Sequence, residues 1–163
     1  MLYCLIYNLN SSAGRKSKFI NKVLSKLKKN NSVDYFETNT ISQAKKIFKD
    51  FNKKNYDRLI VAGGDGSVSF AINELINNDF NFKDDFAIGY IPAGTANLLQ
   101  AELSMNKKVD DIVNVLVSNN YKSSNLVKIN ENYFFLMAGI GSVSYTHLRA
   151  HETRHDLVCR LLL

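Results

Sequence analysis

A short apolar run that ends in a cluster of glycines is the feature that most constrains the fold of this chain. Leu59 to Ala62 is apolar and is bounded by turn residues, which is typical of a buried parallel strand. Gly63-Gly64-Asp65-Gly66-Ser67 follows, and apolar residues then recur at helical spacing as far as Ile76. Because glycine has no Cβ, a bulky anion can approach the main-chain N–H groups of such a turn and the positive end of the helix behind it. The stretch predicts a phosphate-binding turn with Ser67 as the N-cap of the helix; the alternative is a tight connection that binds no ligand.

A second stretch further along the chain has the same design. Residues 87–92 are an apolar run, Ala93-Gly94-Thr95-Ala96-Asn97 is a turn of small residues, and an apolar-periodic helix follows through Leu103. Parallel strands end at a common edge of a sheet, and ligands bind at that edge. We therefore expect the two turns to lie side by side.

Strands and helices alternate over most of the sequence. The predicted strands are Leu2 to Tyr7, Val33 to Phe36, Arg58 to Ala62 and residues 87–92. The predicted helices are Arg15 to Lys29, Ser42 to Lys53, residues 67–78, residues 98–103 and Asp110 to Ser118, and the predicted final hairpin joins Leu126–Ile129 to Tyr133–Ala138. This pattern predicts an α/β fold with a Rossmann-like, mostly parallel sheet and flanking helices.

The two turns together resemble a known enzyme family. GGDGS at Gly63 to Ser67 and GTAN at Gly94 to Asn97 resemble the catalytic domain of diacylglycerol kinases and related bacterial lipid kinases. Asn10 to Gly14 resembles the Asn-Pro-x-(Ser/Ala)-Gly loop of that family, with serine in place of proline, and Thr38 followed by Ala44 matches its Thr-x5-Ala. Tyr133 to Gly141 is similar to the strand and turn that lead into Phe-Asp-Ala in the family, although that continuation is absent here.

The resemblance implies an ATP-dependent lipid kinase that phosphorylates a lipid hydroxyl, with ATP and Mg²⁺ as cofactors and diacylglycerol or a related long-chain alcohol as acceptor. The fold implied is the N-terminal domain of the lipid kinase and NAD kinase-like fold. A second, β-sandwich domain, which supplies the general base and the lipid pocket in the family, is expected to be missing from this chain, so no catalytic residue is assigned. The residues expected to bind the nucleotide are Asn10, Thr38, Gly63, Gly64, Asp65, Gly66, Ser67, Val68, Ser69 and Thr95.

Several of these assignments have alternatives. Asp65 is expected either to reach a metal through a water molecule or to cap a helix. The hydroxyl of Thr40 is placed as well for the nucleotide site as that of Thr38. Ser69 stands where the family has asparagine. Asn97 is expected to lock its turn by bonds between its side chain and the main chain. At the level of function, the alternatives are an NAD kinase or phosphofructokinase-like domain and a nucleotide-binding module without catalysis.

The composition changes abruptly near Ser142. Residues 142–163 contain no lysine or asparagine, although both are abundant before them, and they carry all three histidines. This stretch resembles a translated sequencing adapter, so the domain prediction is a truncated nucleotide-binding kinase domain at 1–141 and a non-native tail at 142–163. The alternative is a native helix with metal-binding histidines at 147, 151 and 155.

The net charge of +6 comes mostly from lysine and suits an enzyme of anionic substrates; we expect no nucleic-acid partner. Cys4 is expected to be a buried core residue. With no secretory signal and no membrane-spanning run, we expect a cytoplasmic protein, with peripheral contact at the inner face of the membrane as an open alternative. The lysine-rich face of the first helix is one surface for such contact, but a solvated face is the favoured interpretation. The sequence does not indicate the oligomeric state.

Overall fold

In the part of the chain that the structure describes, the fold is a six-stranded sheet with helices on both faces, accompanied by a small two-stranded sheet. The computed structural model describes residues 1–11, 15–82, 86–129, 133–135 and 158–162. The helices are α1 (Ser17–Leu27), α2 (Ile41–Lys49), α3 (Asp65–Asn77), α4 (Leu98–Glu102) and α5 (Val109–Val117). The strands are β1 (Leu2–Asn8), β2 (Ser32–Thr38), β3 (Arg58–Gly63), β4 (Ala87–Pro92), β5 (Tyr121–Asn125), β6 (Val127–Ile129), β7 (Tyr133–Phe135) and β8 (Val158–Leu162).

The large sheet has the strand order β2-β1-β3-β4-β8-β5, and its neighbours are parallel except for the β8–β5 pair. Tyr7 of β1 pairs with Ala62 of β3, and Gly63 pairs with Pro92 of β4, so the central strands end nearly level. The prediction of a mostly parallel α/β sheet is confirmed.

Two apolar layers cover the faces of the sheet. The side chains of α1 and α5 pack on one face, and those of α2, α3 and α4 pack on the other. Every residue of β3 and β4 is buried, which explains why both strands are apolar rather than alternating after the buried Arg58 that begins β3.

The order of the strands places a topological switch point between β1 and β3. The chain leaves β1 through α1 to reach β2 on one side, and it leaves β2 through α2 to reach β3 on the other side. Neighbouring connections that diverge in this way leave an opening at the carboxyl edge of a parallel sheet, which is where such folds bind ligands.

The helix boundaries differ from the predicted ones at informative places. The carbonyl of Gly64 accepts hydrogen bonds from Ser67 N and Val68 N, so α3 begins at Asp65 with Gly64 as its N-cap. The prediction of Ser67 as N-cap is therefore wrong, because the tight glycine turn already supplies the first helical carbonyl. The first predicted helix is shorter than expected, and the second ends at Lys49, with a 3-10 turn at Phe51–Lys54 following it.

The sequence did not predict β5 or β8. β5 is polar after its first residue, Tyr121, and has no apolar alternation. β8 belongs to the stretch that was left out of the fold as a non-native tail, yet it lies between β4 and β5, and its Leu162 is buried. A physical reason is that the open edge of β4 presents unpaired main-chain groups that any suitable strand can satisfy. The origin of 142–163 stays a prediction, and the three histidines lie outside the described residues.

The antiparallel hairpin is confirmed for Val127–Ile129 and Tyr133–Phe135, whereas residues 136–138 lie outside the described part. Cys4 is fully buried, as expected, and burial raises the pKa of its thiol. Within the described ranges, no helix combines the length and the apolar character that crossing a membrane requires.

Candidate functional site

A cavity of about 480 Å³ opens at the carboxyl edge of the sheet. Residues from the ends of β1, β2 and β3 and from the turn after β4 line it, together with side chains of α2 and α3. The polar part of the lining comprises Asn8, Asn10, Ser11, Thr38, Asn39, Thr40, Gly64, Gly66, Ser67, Gly94 and Thr95. The apolar part comprises Ile6, Ile41, Ala44, Phe48, Val61, Ala62, Phe70 and Ala71. The cavity thus lies at the switch point between β1 and β3.

The two glycine-bearing turns are in direct contact beside this cavity. A Cβ placed on Gly94 would lie 2.4 Å from the Cα of Gly64 and 3.1 Å from its nitrogen. Ala93 N donates a hydrogen bond of 2.7 Å to the carbonyl of Gly63. Only residues without side chains allow two backbones to approach so closely. The expectation that the turns lie side by side on one edge of the sheet is confirmed.

Asp65 joins the two turns through its carboxylate. One oxygen accepts a hydrogen bond of 2.9 Å from Leu98 N, and the other accepts a bond of 2.9 Å from Leu99 N. These N–H groups belong to the first turn of α4, which has no partner for them within the helix. Asp65 therefore caps a helix, which is one of the two roles expected for it. The helix that it caps is α4, whereas Asp65 itself lies in α3. A negative charge at this helix terminus is favourable.

Asn97 holds the second turn in shape. Its backbone is left-handed, with φ of 51°. Its side-chain oxygen accepts from Gly94 N at 2.8 Å and from the hydroxyl of Tyr90 at 2.9 Å, and its amide nitrogen donates to the carbonyl of Gly94 at 2.8 Å. Burial, together with the nearby charge of Asp65, raises the pKa of Tyr90, so this phenol stays a neutral donor. The expected locking role of Asn97 agrees with these bonds.

The comparisons with known proteins support one family. The family model of the diacylglycerol kinase catalytic domain matches residues 3–129. The chain belongs to the diacylglycerol kinase catalytic domain family.

The relatives in this family are longer than the chain. A "putative lipid kinase" of Streptococcus pneumoniae is 30% identical over 120 residues, which are 70% of this chain and 40% of the relative. A "diacylglycerol kinase" of Staphylococcus saprophyticus is 28% identical over 141 residues, covering 86% of this chain and 45% of the relative. The chain thus spans less than half the length of these curated relatives.

The fold is also similar to that of a solved diacylglycerol kinase from Bacillus anthracis. The TM-score is 0.67 at 24% sequence identity, and the match covers 82% of this chain and 45% of the solved chain. This likeness confirms the fold of the kinase family.

The structure of this kinase-family chain brings most of the predicted nucleotide-binding residues to the cavity. Asn10, Thr38, Gly64, Gly66, Ser67 and Thr95 line it. Gly63 is buried at the end of β3, where a Cβ would lie 2.4 Å from Ser67 Oγ. Val68 is 1% exposed in the core, and Ser69 lies outside the lining residues. The side chains of Val68 and Ser69 therefore do not face the cavity.

The hydroxyls of Thr38 and Thr40 have different partners. Thr38 is buried, and its hydroxyl donates to the carbonyl of Tyr7 at 3.3 Å. Thr40 is the N-cap of α2, and its hydroxyl accepts from Gln43 N at 3.2 Å in a capping box. Asn10 donates to the carbonyl of Asn39 at 2.5 Å, which ties the loop after β1 to the loop after β2.

Sequence reasoning did not single out Asn8 as a site residue. Asn8 ends β1, and its amide nitrogen donates to Ser67 Oγ at 3.1 Å. A signal for it was present in the sequence, because Asn8 is the first polar residue after an apolar strand that ends at the predicted binding edge. The ammonium group of Lys16 donates to the carbonyl of Pro92 at 3.0 Å, and Lys16 is not among the lining residues of the cavity.

The charges of the side chains that line the cavity bear on which ligands it can bind. Among the described residues that line it, none carries a charged side chain. An anion bound there would meet main-chain N–H groups, hydroxyls, amides and the N-terminal end of α3, whose dipole favours negative charge. The site can therefore hold phosphate oxygens by hydrogen bonds.

Proposed function

We propose that this chain is the nucleotide-binding part of an ATP-dependent lipid kinase, which transfers the terminal phosphoryl group of ATP to the hydroxyl of diacylglycerol or of a related long-chain alcohol. The observation that carries the proposal is the contact between the GGDGS and GTAN turns, which Asp65 fastens together and whose Gly64 and Gly94 line the cavity. Phosphoryl transfer depends mainly on positioning and on electrostatic stabilisation, and a rigid double turn serves the positioning.

The two halves of the cavity suit the two halves of a nucleotide. The apolar part lies between α2 and α3, where Phe48 and Phe70 meet edge to face with their ring centroids 6.1 Å apart. A flat heterocyclic base fits such a lining. The polar part offers the glycine turn and the hydroxyls of Ser67 and Thr95 to the phosphates. We propose the base at the apolar end and the phosphates at the glycine turns.

Magnesium would come to this part of the enzyme together with the phosphates. Within the described ranges, no group of three or more His, Cys, Asp or Glu side chains could hold a metal ion. Both carboxylate oxygens of Asp65 accept main-chain hydrogen bonds, and each keeps a further lone pair. We propose an indirect contact of Asp65 with Mg²⁺ through a water molecule, and the ion would neutralise the phosphate charge that the lining leaves unpaired.

The general base and the lipid pocket are proposed to lie in the portion of the relatives that this chain does not span. For this reason no residue of the chain is assigned to proton transfer. A cytoplasmic location, with lipid substrate reached by peripheral contact at the inner face of the membrane, belongs to the same proposal. The NAD kinase or phosphofructokinase-like alternative loses its support because the matched family is the diacylglycerol kinase catalytic domain.

Two measurements test the proposal. Calorimetric titration of the chain with MgATP, MgGTP and adenosine should show saturable binding of ATP, and binding of none of them would refute the assignment of the cavity. The full-length protein should transfer label from radiolabelled ATP to diacylglycerol or to another long-chain alcohol. Label that enters only NAD would refute the lipid kinase, and nucleotide binding without transfer to any acceptor would favour the non-catalytic module.

A further inference from the structure

We infer that Asn8 is a positioning residue, which fixes the hydroxyl of Ser67 as a hydrogen-bond donor toward the anionic group of the bound ligand. The inference deepens the proposed function, since it concerns how the phosphate end of the cavity binds. It rests on three observations, namely the orientation of the Asn8 amide, the surroundings of the Ser67 hydroxyl, and the place of both residues in the cavity lining.

The orientation of the Asn8 amide follows from its two partners. Asn10 N lies 3.0 Å from Asn8 Oδ1. A main-chain N–H can only donate, so the atom of Asn8 that faces it must be the carbonyl oxygen. The amide nitrogen is then the atom 3.1 Å from Ser67 Oγ. The loop after β1 therefore sets which end of the Asn8 side chain meets Ser67.

The donor character of Asn8 decides the direction of the Ser67 hydroxyl. The amide nitrogen has no lone pair to accept a proton, so Ser67 Oγ accepts this hydrogen bond and keeps its own hydrogen for another partner. A serine in the first turn of a helix often donates to a carbonyl of the preceding turn. Here the carbonyl of Gly64 already accepts from Ser67 N and Val68 N, and no described carbonyl accepts from the Ser67 hydroxyl, whose one recorded bond is the one it accepts from Asn8.

Gly63 provides the space that this arrangement needs. A Cβ at position 63 would lie 2.4 Å from Ser67 Oγ and 2.6 Å from Ser67 Cβ. The hydroxyl therefore lies against a bare main chain, next to the cavity that Asn8 and Ser67 both line. No described residue accepts its hydrogen, which can point to an anionic oxygen in the cavity, where a donor is worth most because the described lining residues carry no positive charge.

The consequence is that Asn8 contributes to anion binding without touching the anion. A change that removes its donor frees the Ser67 hydroxyl to rotate. A change that replaces the donor by an acceptor turns the hydroxyl hydrogen away from the ligand. Asn8→Asp makes the second change with little alteration of shape, since a carboxylate still accepts the bond from Asn10 N.

The experiment is a double-mutant cycle on the 163-residue chain, with binding of MgATP, inorganic tripolyphosphate and adenosine measured by calorimetry. The variants are Asn8→Ala, Asn8→Asp, Ser67→Ala and the two double variants. Asn114→Asp, at an exposed position of α5 on the opposite face of the sheet, is the matched control for added negative charge. Thermal unfolding of each variant, together with its affinity for adenosine, shows whether the site is still folded.

We expect Ser67→Ala to weaken binding of both phosphate ligands by about tenfold and Asn8→Ala by about threefold to tenfold, with adenosine unaffected. Asn8→Ala should add nothing in the Ser67→Ala background. Asn8→Asp should weaken binding more in the parent chain than in the Ser67→Ala variant, because only the parent chain has a Ser67 hydroxyl that can turn away from the ligand. Equal losses in both backgrounds would mean charge repulsion alone and would overturn the inference.

The three ligands separate the failure of this inference from failure of the proposed function. A chain that binds tripolyphosphate but not ATP would refute the nucleotide assignment, and the same cycle with tripolyphosphate would still decide the role of Asn8. Additive losses from Asn8→Ala and Ser67→Ala with either anion would refute the coupling while leaving the nucleotide assignment in place. A chain that binds neither anion would overturn both.

Discussion

Adding one methyl group should destabilise the protein at one of two glycines near the cavity but not at the other. Gly94 lies at the contact of the two turns, where a Cβ would be 2.4 Å from Gly64 Cα and 2.9 Å from the side-chain oxygen of Asn97. Gly66 lies in the first turn of α3, where a Cβ would have no neighbour within 4 Å. The two substitutions, Gly94→Ala and Gly66→Ala, are therefore a matched pair.

The magnitude for Gly94→Ala follows from the missing space. Carbon atoms in contact lie about 3.5 Å apart or more, so the two turns must separate by about 1 Å to admit the methyl group. The obstructing atom belongs to the backbone of Gly64, which has no side chain that could move aside. Overpacking of this kind typically costs about 1–3 kcal/mol, and at roughly 2–4 °C per kcal/mol for a chain of this size the melting temperature should fall by about 2–12 °C.

Gly66→Ala should instead leave the melting temperature unchanged or raise it. Alanine is favoured over glycine within a helix by up to about 1 kcal/mol, and no neighbouring atom opposes the new methyl group. Gly66 nevertheless lines the cavity. A methyl group there occupies space at the phosphate end, so binding of MgATP should weaken by about tenfold or more although the fold is intact.

The assay combines thermal unfolding by circular dichroism with calorimetric titration of MgATP. Gly94→Ala should lose both stability and affinity, whereas Gly66→Ala should lose affinity alone. A Gly94→Ala variant with parent-like melting would show that the two turns do not press on each other. A Gly66→Ala variant with parent-like affinity would show that no ligand group approaches the glycine turn.

Four further predictions concern other parts of the structure. Asp65→Ala should lower the free energy of unfolding by about 2 kcal/mol in urea denaturation because two N–H groups of α4 lose a charged acceptor, and an unchanged midpoint would contradict the link between the turns. Thr40→Ala should cost about 1 kcal/mol in the same assay through loss of the capping box, and a neutral effect would mean that α2 begins elsewhere. Leu162→Ala should cost about 2–4 kcal/mol because this side chain is 1% exposed, and parent-like unfolding would show that β8 does not occupy the sheet. Charge reversal of α1 by Lys18→Glu and Lys22→Glu should leave cosedimentation with anionic vesicles unchanged at physiological salt, since the apolar residues of α1 are buried in the core, and a clear loss would establish a membrane-binding face.

The sequence was sufficient to predict the sheet and the two turns because their signals are local. A buried parallel strand is apolar throughout, and the turn at its end needs glycine for close approach, so β3 and Gly63 to Ser67 could be recognised from adjacent residues. The second turn followed from the same reasoning, and parallel strands that end level bring such turns together without further information.

The side-chain partners could not be predicted in this way, because they depend on contacts between distant segments. Asp65 is three residues before a good helix-forming run, so capping of its own helix was the local interpretation, and the actual partners belong to α4. Asn8 contacts Ser67 only because β1 and β3 are neighbours in the sheet. The polar sequence of β5 gives no strand signal, and its pairing with β8 is what makes it a strand.

The neutral lining of the cavity also explains why charge was a poor guide to the site. The chain has a net charge of +6 and no acidic residue before Asp34, yet none of the lysines that the structure describes lines the cavity. Hydrogen bonds from main-chain N–H groups give direction to bound phosphates, but they do not cancel several negative charges. The affinity of this chain for ATP should therefore depend strongly on a divalent cation. If the cavity holds the phosphates as proposed, removal of Mg²⁺ by EDTA should weaken ATP binding far more than adenosine binding. Equal weakening of both would place the phosphates outside the glycine turns.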